Sequence, residues 1–391
     1  MGSAQPVGEQ VPSPRSGEIG VVRVRKTVLD LEPYAWEDSS EEVAARHGLR
    51  VEDVLRFDLN TSPFAPASWD VAMEGARLER QPNEYFDTSY RELSAALSEY
   101  CGVPPDRLVI GAGADEILDV ICKALVDNGD AVVVPAPTYA MFAICARQLG
   151  GVVRACPLGE GFAPDVNGML AAAAGARLIF HCSPNSPTGN PTPPDELERL
   201  IADAPCAVAL DEAYAEYLGW SAVPLVDRHP NLIVVRTLSK AFGMAGMRLG
   251  YAVAQPDLVA LLNRVRPPNS VSMVTARVGA AALRDADAMR AQVATIVAQR
   301  EPFAAALRAA GAHVYPSTTN FLLTRWGSPE AAQAIYDRLE RRGIVARNYA
   351  RHPLLPGHLR FTVRTAEQNA RLLDALKDDN RQAAKGMTSD E

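Results

Sequence analysis

Lys240 is placed by the sequence among groups that can bind an anion. Thr237 and Ser239 precede it with hydroxyl side chains, and Arg248 follows it with a fixed positive charge. Hydroxyls and a guanidinium are suited to holding a phosphate close to the lysine amine. If the phosphate belongs to a carbonyl compound, the arrangement indicates a covalent imine between that carbonyl and the lysine. An isolated lysine would more simply be exposed to solvent.

The elements around Lys240 predict a loop at the C-terminal end of a strand. Residues 232–236 form a β-branched run before it, and residues 248–254 form a second apolar run after it. Both runs are typical of buried strands. Ligands bind at this edge of open α/β sheets, so we expect a ligand site at Lys240.

Further apolar runs predict the rest of a sheet. They lack strict alternation of polar and apolar residues and are separated by helical patterns, which indicates strands covered on both faces. We therefore predict an α/β fold whose large domain contains a mostly parallel seven-stranded sheet, with five more strands at residues 108–110, 131–134, 152–156, 178–181 and 207–210.

Two of these predicted strands end in residues that could do chemistry. The first leads into Gly111-Ala-Gly113-Ala-Asp-Glu116 and a predicted helix over 117–126, so the N-terminus of that helix can point its amides at an anion. Glu116 stands where a dinucleotide-binding turn needs its third glycine, which argues against an NAD oxidoreductase. The strand 207–210 ends at Asp211, and a buried aspartate is costly unless it is paired.

Taken in order, these segments resemble the class I/II aminotransferases, which are pyridoxal phosphate (PLP) enzymes of fold type I, and most of all their histidinol-phosphate aminotransferase branch. The resemblance covers roughly residues 28 to 378. It is carried by the segment from Thr237 to Tyr251, the Gly-Ala-Asp-Glu116 turn, Pro137-Thr-Tyr139, Ser183-Pro-Asn-Ser-Pro-Thr-Gly189 and Asp211-Glu-Ala-Tyr214.

The resemblance implies a role for each cofactor residue. Lys240 would form the Schiff base and act as general base and acid, and Asp211 would pair with the pyridine nitrogen. Tyr214 and Asn185 would hydrogen-bond the phenolic oxygen; the loop of Asn185 resembles N-P-x-N-P-T-G, with Ser183 in the place of the first asparagine. Tyr139 would stack on the ring, and the phosphate would be bound by Ala114, Asp115, Thr237, Ser239, Arg248 and, from the other subunit of a homodimer, Tyr85.

The same resemblance implies a set of substrate residues: Tyr34, Asn60, Arg347 and Arg360. Arg360 would bind a carboxylate, and Arg347 a substrate phosphate. Tyr34 and Tyr85 are equally compatible with packing roles, and Arg347 with a surface salt bridge. The segment after Asn60 departs from N-E-N-P-Y-G-P at Thr61, Ser62, Phe64 and Ala65, which puts substrate identity in doubt, and Arg364 replaces an expected glycine.

The pattern along the chain predicts two domains and two tails. We expect a flexible tail over 1–27, an N-terminal arm over 28–59 that associates with the small domain, and a large PLP-binding domain over 60–270. A smaller α+β domain over 271–378 and a polar tail over 379–391 complete the chain. Long helices at 272–283 and 288–309, strands at 320–324, 344–347 and 358–363, and a last helix from 365 indicate the small domain.

Composition excludes several classes of function. The net charge of −8 and the lack of a long basic run argue against nucleic acid or an anionic membrane as the main partner. No apolar segment approaches the roughly 20 residues that span a bilayer, and the first residues do not read as a signal peptide. The six cysteines and six histidines show no metal-binding spacing. We expect a cytoplasmic enzyme without a metal.

The predicted activity is a ping-pong transamination between a small-molecule amino donor and a 2-oxo acid. Histidinol phosphate, exchanged with imidazole acetol phosphate, is the favoured donor and 2-oxoglutarate the simplest acceptor. Aromatic amino acids are the alternative donors, and a PLP-dependent decarboxylase of a phosphorylated amino acid is a further alternative. A PLP-sensing transcription regulator is disfavoured, because the residues before Asn60 are neither basic nor typical of a DNA-binding helix-turn-helix.

Overall fold

The computed structural model describes residues 18–19, 22–23, 25–31, 37–67, 69–70, 85 and 87–386. The N-terminal part of the chain consists of short elements. Ser39 caps the second helix in a capping box with Glu42, as its spacing predicts. These elements are β1 (Glu18–Ile19), β2 (Val22–Arg23), α1 (Lys26–Leu29), α2 (Ser40–His47) and β3 (Leu55–Arg56).

A seven-stranded sheet forms the centre of the molecule, which confirms the predicted fold class. The strand order is β4-β10-β9-β8-β7-β5-β6. Strand β10 is antiparallel to both of its neighbours, and the other neighbours are parallel. The strands are β4 (Leu108–Gly111), β5 (Ala131–Ala136), β6 (Val152–Pro157), β7 (Ala176–Cys182), β8 (Ala207–Asp211), β9 (Leu232–Thr237) and β10 (Gly250–Val253).

Helices cover both faces of this sheet. On β9, Val234 packs into one apolar cluster while Ile233 and Val235 pack into a second, so successive side chains enter opposite layers. This explains why the strands lack strict alternation of polar and apolar residues. The helices are α3 (Arg91–Cys101), α4 (Ala114–Leu125), α5 (Met141–Gln148), α6 (Val166–Ala172), α7 (Pro194–Asp203), α8 (Ala215–Leu218) and α9 (Pro256–Val265).

Short 3-10 helices connect several of these elements: Val51–Asp53, Pro105–Arg107, Glu160–Phe162, Val223–Asp227 and Ala245–Met247. No helix in the described ranges is both long and apolar enough to cross a membrane. The described residues also contain no group of three or more His, Cys, Asp or Glu side chains placed to bind a metal ion.

The C-terminal part contains a second, antiparallel sheet with the strand order β11-β12-β15-β14. Ser328 caps the helix that starts with Pro329, as predicted. The elements are α10 (Met273–Arg284), α11 (Ala286–Ala309), β11 (His313–Val314), β12 (Phe321–Arg325), α12 (Pro329–Glu340), β13 (Ile344–Val345), β14 (Arg347–Tyr349), β15 (His358–Thr362) and α13 (Ala366–Gly386).

The single strand predicted over 344–347 is wrong, because the chain forms two strands there in different sheets. Strand β13 pairs in parallel with β3 of the N-terminal arm, whereas β14 pairs with β15. A run of apolar residues does not reveal that its hydrogen-bonding partner changes along its length. The change attaches the arm beside β14 and brings Arg347 directly opposite Arg360.

Both predicted tails contain secondary structure. Strands β1 and β2 pair with each other inside the stretch predicted as a flexible tail. The last helix continues to Gly386, past the predicted end at 378. Its extension is rich in Gln, Arg, Ala and Lys, which are good helix formers, so polarity alone was a poor indicator of where the helix ends.

Candidate active site

One cavity of about 690 Å³ lies where the C-terminal ends of β5, β7, β8 and β9 face the second sheet. Its position agrees with the rule that open α/β sheets bind ligands at this edge. Most of the predicted site residues line it: Asn60, Ala114, Asp115, Tyr139, Asp211, Tyr214, Thr237, Ser239, Lys240, Arg248, Arg347 and Arg360.

Lys240 extends into this cavity from the loop after β9. Its Nζ donates a hydrogen bond of 3.2 Å to the backbone oxygen of Leu59. Burial, together with the positive charge of the nearby Arg360, lowers the pKa of Lys240 from its ordinary value to about 8. The neutral amine, which is the nucleophilic form, is therefore much more populated near neutral pH than in an ordinary lysine.

Asp211 occupies the end of β8 and is 4% exposed. The amide of Ala213 donates to its Oδ1 at 2.9 Å, and within the described residues no arginine, lysine or histidine forms an ion pair with it. Burial raises the pKa of this carboxyl to about 7. A buried acid facing a cavity without its own cation is suited to a cationic ligand group such as a protonated pyridine nitrogen.

Tyr214 and Asn60 meet on the wall beside Asp211. The Nδ2 of Asn60 donates to the hydroxyl oxygen of Tyr214 at 2.9 Å. Asn60 is itself fixed, because its amide donates to Thr362 Oγ1 and its backbone oxygen accepts from Asn320 Nδ2, both at 3.0 Å. Residue 60 therefore connects the Tyr214 hydroxyl to the second sheet.

The turn before α4 forms an anion cradle. Helix α4 begins at Ala114, earlier than the predicted 117, so the amides of Ala114 and Asp115 lie in its first turn and have no intrahelical acceptor. Gly113 has φ +87°, and a Cβ on it would lie 2.6 Å from Nη2 of Arg248. A Cβ on Gly250 would lie 2.4 Å from the amide nitrogen of Ala114. Glycine is favoured at residue 113 by its positive φ and is required at residue 250 by the close approach of this backbone.

Arg248 lies across the cradle, where its Nη2 is 3.1 Å from Asp115 Oδ2. The other oxygen of Asp115 accepts a hydrogen bond of 2.7 Å from the hydroxyl of Tyr139. Thr237 Oγ1 donates to Ser239 Oγ at 3.0 Å and accepts from the Ser239 amide at 3.1 Å. Two amides, two hydroxyls and a guanidinium thus converge as a phosphate site would require.

The loop after β7 places Ser186, and not the predicted Asn185, on the cavity wall. Asn185 is buried, and its Nδ2 donates to Pro137 O at 3.0 Å and to Thr188 Oγ1 at 2.7 Å. Its Oδ1 accepts from Thr138 Oγ1 at 2.6 Å. With both amide hydrogens bonded inside the protein, Asn185 has none to donate to a ligand. In the N-P-x-N-P-T-G pattern, Ser186 occupies the position of the second asparagine and Asn185 the variable position. Matching the motif residue by residue therefore identifies Ser186.

This difference predicts opposite effects for two neighbouring substitutions. Asn185→Ala removes three buried hydrogen bonds and is expected to lower the free energy of unfolding by about 2–3 kcal/mol. Ser186→Ala is expected to leave the melting temperature within about 2 °C, because one weak contact is lost, but to change KM. Thermal unfolding and steady-state kinetics on both variants test this; a changed KM with unchanged stability for Asn185→Ala would contradict it.

Arg360 is a cation of the second sheet that faces the cavity. It is 8% exposed, and it donates to Asp58 O at 2.6 Å and to Ser186 Oγ at 3.3 Å. Its Nε has no hydrogen-bond partner in the described part of the chain, and no described carboxylate forms an ion pair with it. Such a guanidinium is suited to a carboxylate ligand.

Arg347 already has a partner, because Glu37 of the N-terminal arm forms an ion pair with its Nη1. Both residues line the cavity, and 23% of each side chain is exposed. The sequence analysis did not single out Glu37. The pairing of β3 with β13 brings the arm close to β14, and no local pattern encodes that pairing.

The remaining predicted residues lie elsewhere. Tyr34 falls outside the described residues. Tyr85 is 83% exposed and does not line the cavity in the single chain. Arg364 also lies off the cavity wall: its Nη1 donates to Arg56 O at 2.9 Å and its Nε to Gln368 Oε1 at 3.0 Å, so it fastens the arm to α13.

Comparison with known proteins connects this site to an enzyme family. Residues 52–376 match the family described as aminotransferase class I and II. A histidinol-phosphate aminotransferase from Roseiflexus castenholzii is 41% identical over 363 residues, which cover 91% of this chain and 97% of that protein. One from Thermococcus gammatolerans is 36% identical over 83% of this chain and 91% of its own length.

A solved structure is similar as well. The histidinol-phosphate aminotransferase from Sinorhizobium meliloti, crystallised in complex with pyridoxal-5'-phosphate, superposes with a TM-score of 0.84 at 27% identity. The match covers 93% of this chain and 99% of that structure.

Proposed function

This chain belongs to the class I and II aminotransferases and is a PLP-dependent enzyme; on that premise we propose that it transfers the amino group of histidinol phosphate to 2-oxoglutarate. The observation that carries the choice of donor is the position of Arg347 directly opposite Arg360 in neighbouring strands. Two guanidinium groups side by side at the cavity suit an anion as highly charged as a phosphate monoester.

The residues around the cavity fit the cofactor. We assign its phosphate to the amides of Ala114 and Asp115 with Ser239 and Arg248, and its ring nitrogen to the buried carboxyl of Asp211. Tyr139 borders the same space and is assigned to the ring face. When bound, the cofactor supplies an electron-withdrawing ring that stabilises negative charge on the donor carbon losing its proton.

Lys240 is assigned the proton transfers. Its lowered pKa lets the Nζ accept a proton from the donor's α-carbon and release that proton in a later step of the amino transfer. Asp211 keeps its negative charge at the cavity wall when a cation pairs with it. Tyr214, positioned by Asn60, donates its hydroxyl hydrogen towards the cavity. Arg360 orients the acid group of the substrate.

We also propose the assembly and the domain division. The exposed Tyr85 supports a homodimer in which this tyrosine reaches the partner subunit's cofactor phosphate. The two separate sheets support a large domain over 60–270 and a small domain over 271–378, and the pairing of β3 with β13 supports an arm that belongs with the small domain. A cytoplasmic location is part of the same proposal, and the relatives named as histidinol-phosphate aminotransferases support it.

An aromatic amino acid is the second candidate donor. The ion pair of Arg347 with Glu37 favours it, because this pair leaves Arg360 as the cation available for a single carboxylate. Apolar side chains, including Val134 and Leu354, also line the cavity and could contact an aromatic ring.

Steady-state kinetics with matched donors test the proposal. The holoenzyme with 2-oxoglutarate is assayed for glutamate formation from histidinol phosphate, phenylalanine and tyrosine, with Lys240→Ala as the baseline. We expect the largest kcat/KM for histidinol phosphate. A larger value for an aromatic amino acid selects the second candidate, and no glutamate from any donor rejects both.

A further inference from the structure

We propose that Glu37 is a specificity-determining residue that sets the charge of the accepted amino donor. Paired with Arg347, it disfavours a dianionic phosphate relative to a monoanionic carboxylate. This inference deepens the proposed function and rests on it for the identity of the donors, but its binding test does not require amino transfer.

The first support is the crowding of positive charge at the second sheet. Arg347 and Arg360 are directly opposite each other in β14 and β15. The guanidinium carbons of both lie near the ring of Tyr349, at 5.8 Å for Arg347 and 6.0 Å for Arg360. Like charges directly opposite each other in a sheet destabilise it, so an anion is favoured at this place.

The second support is that the chain supplies this anion itself, and supplies it to one arginine alone. Glu37 forms its ion pair with Arg347. Arg360 instead donates to two neutral oxygens, the backbone oxygen of Asp58 and the hydroxyl of Ser186. Its Nε has no hydrogen-bond partner among the described residues. The two arginines and Glu37 together carry one net positive charge.

This charge affects the binding of two classes of substrate differently. A carboxylate carries one negative charge and can be neutralised by Arg360 with the Glu37–Arg347 pair intact. A phosphate monoester carries about −1.5 to −2 charges at pH 7. It can use Arg347 only by displacing Glu37 or by lying close to the Glu37 carboxylate, and both arrangements cost binding free energy.

The position of Glu37 allows the charge at the substrate site to change without a change in either sheet. It lies in the N-terminal arm rather than in either sheet, two residues before the Ser39 cap of α2. A change at residue 37 therefore leaves Arg347 and Arg360 in their strands and alters the charge that the substrate meets.

Glu37→Gln tests the inference, because it removes the charge and keeps the size of the side chain. The ratio of kcat/KM for histidinol phosphate to that for phenylalanine is expected to rise about tenfold. Calorimetric titration of the holoenzyme with inorganic phosphate is expected to show binding about tenfold tighter in the variant.

Asp38→Asn is the matched control. Asp38 is the next residue of the arm and also pairs with an arginine, Arg46, but it does not line the cavity. This variant removes the same charge from the same segment, so both the kinetic ratio and the phosphate affinity should stay within about twofold of wild type if the effect is local.

The outcomes separate this inference from the proposed function. An unchanged or lower ratio and phosphate affinity in Glu37→Gln would overturn it, as would an equal rise in Asp38→Asn, which would indicate a general charge effect. If wild type transfers no amino group from any donor, the proposed function fails, and the phosphate titrations of the same two variants still decide the role of Glu37.

Discussion

Replacing Lys240 with alanine is expected to lower kcat for transamination by about 10⁴-fold or more, because the variant loses both the nucleophile and the group that moves the α-proton. The amine is suited to these roles by its place on the cavity wall and by a pKa of about 8. Glutamate formation from each donor, followed at saturating substrate, measures the loss.

Stability is the control for this variant. Among the described residues, Lys240 Nζ makes a single hydrogen bond, to Leu59 O, so the cofactor-free variant should unfold within a few degrees of the cofactor-free wild type. Lys240→Arg keeps the charge but has no amine that can deprotonate near neutral pH, and it should be as inactive as the alanine variant. Activity above about one-tenth of wild type in either variant would refute the assignment.

Replacing Asp211 with asparagine is expected to lower kcat/KM by about 10³-fold. Asparagine has nearly the same shape but no charge, so the buried cation proposed to pair with residue 211 would lose its partner. Asp211→Glu keeps the charge and should retain more activity than the asparagine variant. Equal losses in both would indicate that shape, and not charge, is what the site requires.

The same substitution has a second effect, on the pH dependence of stability. The pKa of Asp211 is about 7 in the folded, cofactor-free protein, above its ordinary value of 3.8. The folded state therefore holds this proton more tightly than the unfolded chain. The resulting stability is fully present below pH 3.8 and is lost as the pH rises to about 7.

Asparagine does not titrate, so the cofactor-free Asp211→Asn variant should escape this loss. Its free energy of unfolding relative to wild type should increase between about pH 5 and pH 7 by a few kcal/mol and level off above that. Denaturant unfolding at several pH values measures the difference. A difference that stays constant with pH would mean that the carboxyl of Asp211 is not raised in pKa.

Sequence alone determined the chemistry of the centre. Lys240, Asp211 and the turn at Gly113 each follow an apolar run, and such runs become strands whose C-terminal ends meet at one edge of the sheet. The motifs are local: Gly113 enables the turn through its own φ, and the strands follow from short apolar segments. The fold class and the family could therefore be predicted.

Tertiary structure decided the parts of the site that depend on distant pairings. Glu37 meets Arg347 because the arm packs on the C-terminal part, where β3 pairs with β13 across about 290 positions of sequence, and no local propensity encodes such a contact. Ser186 replaces Asn185 on the cavity wall because Pro137, Thr138 and Thr188 bind the asparagine amide in three dimensions. The sequence determined the reaction class, and packing decides which charges a substrate meets.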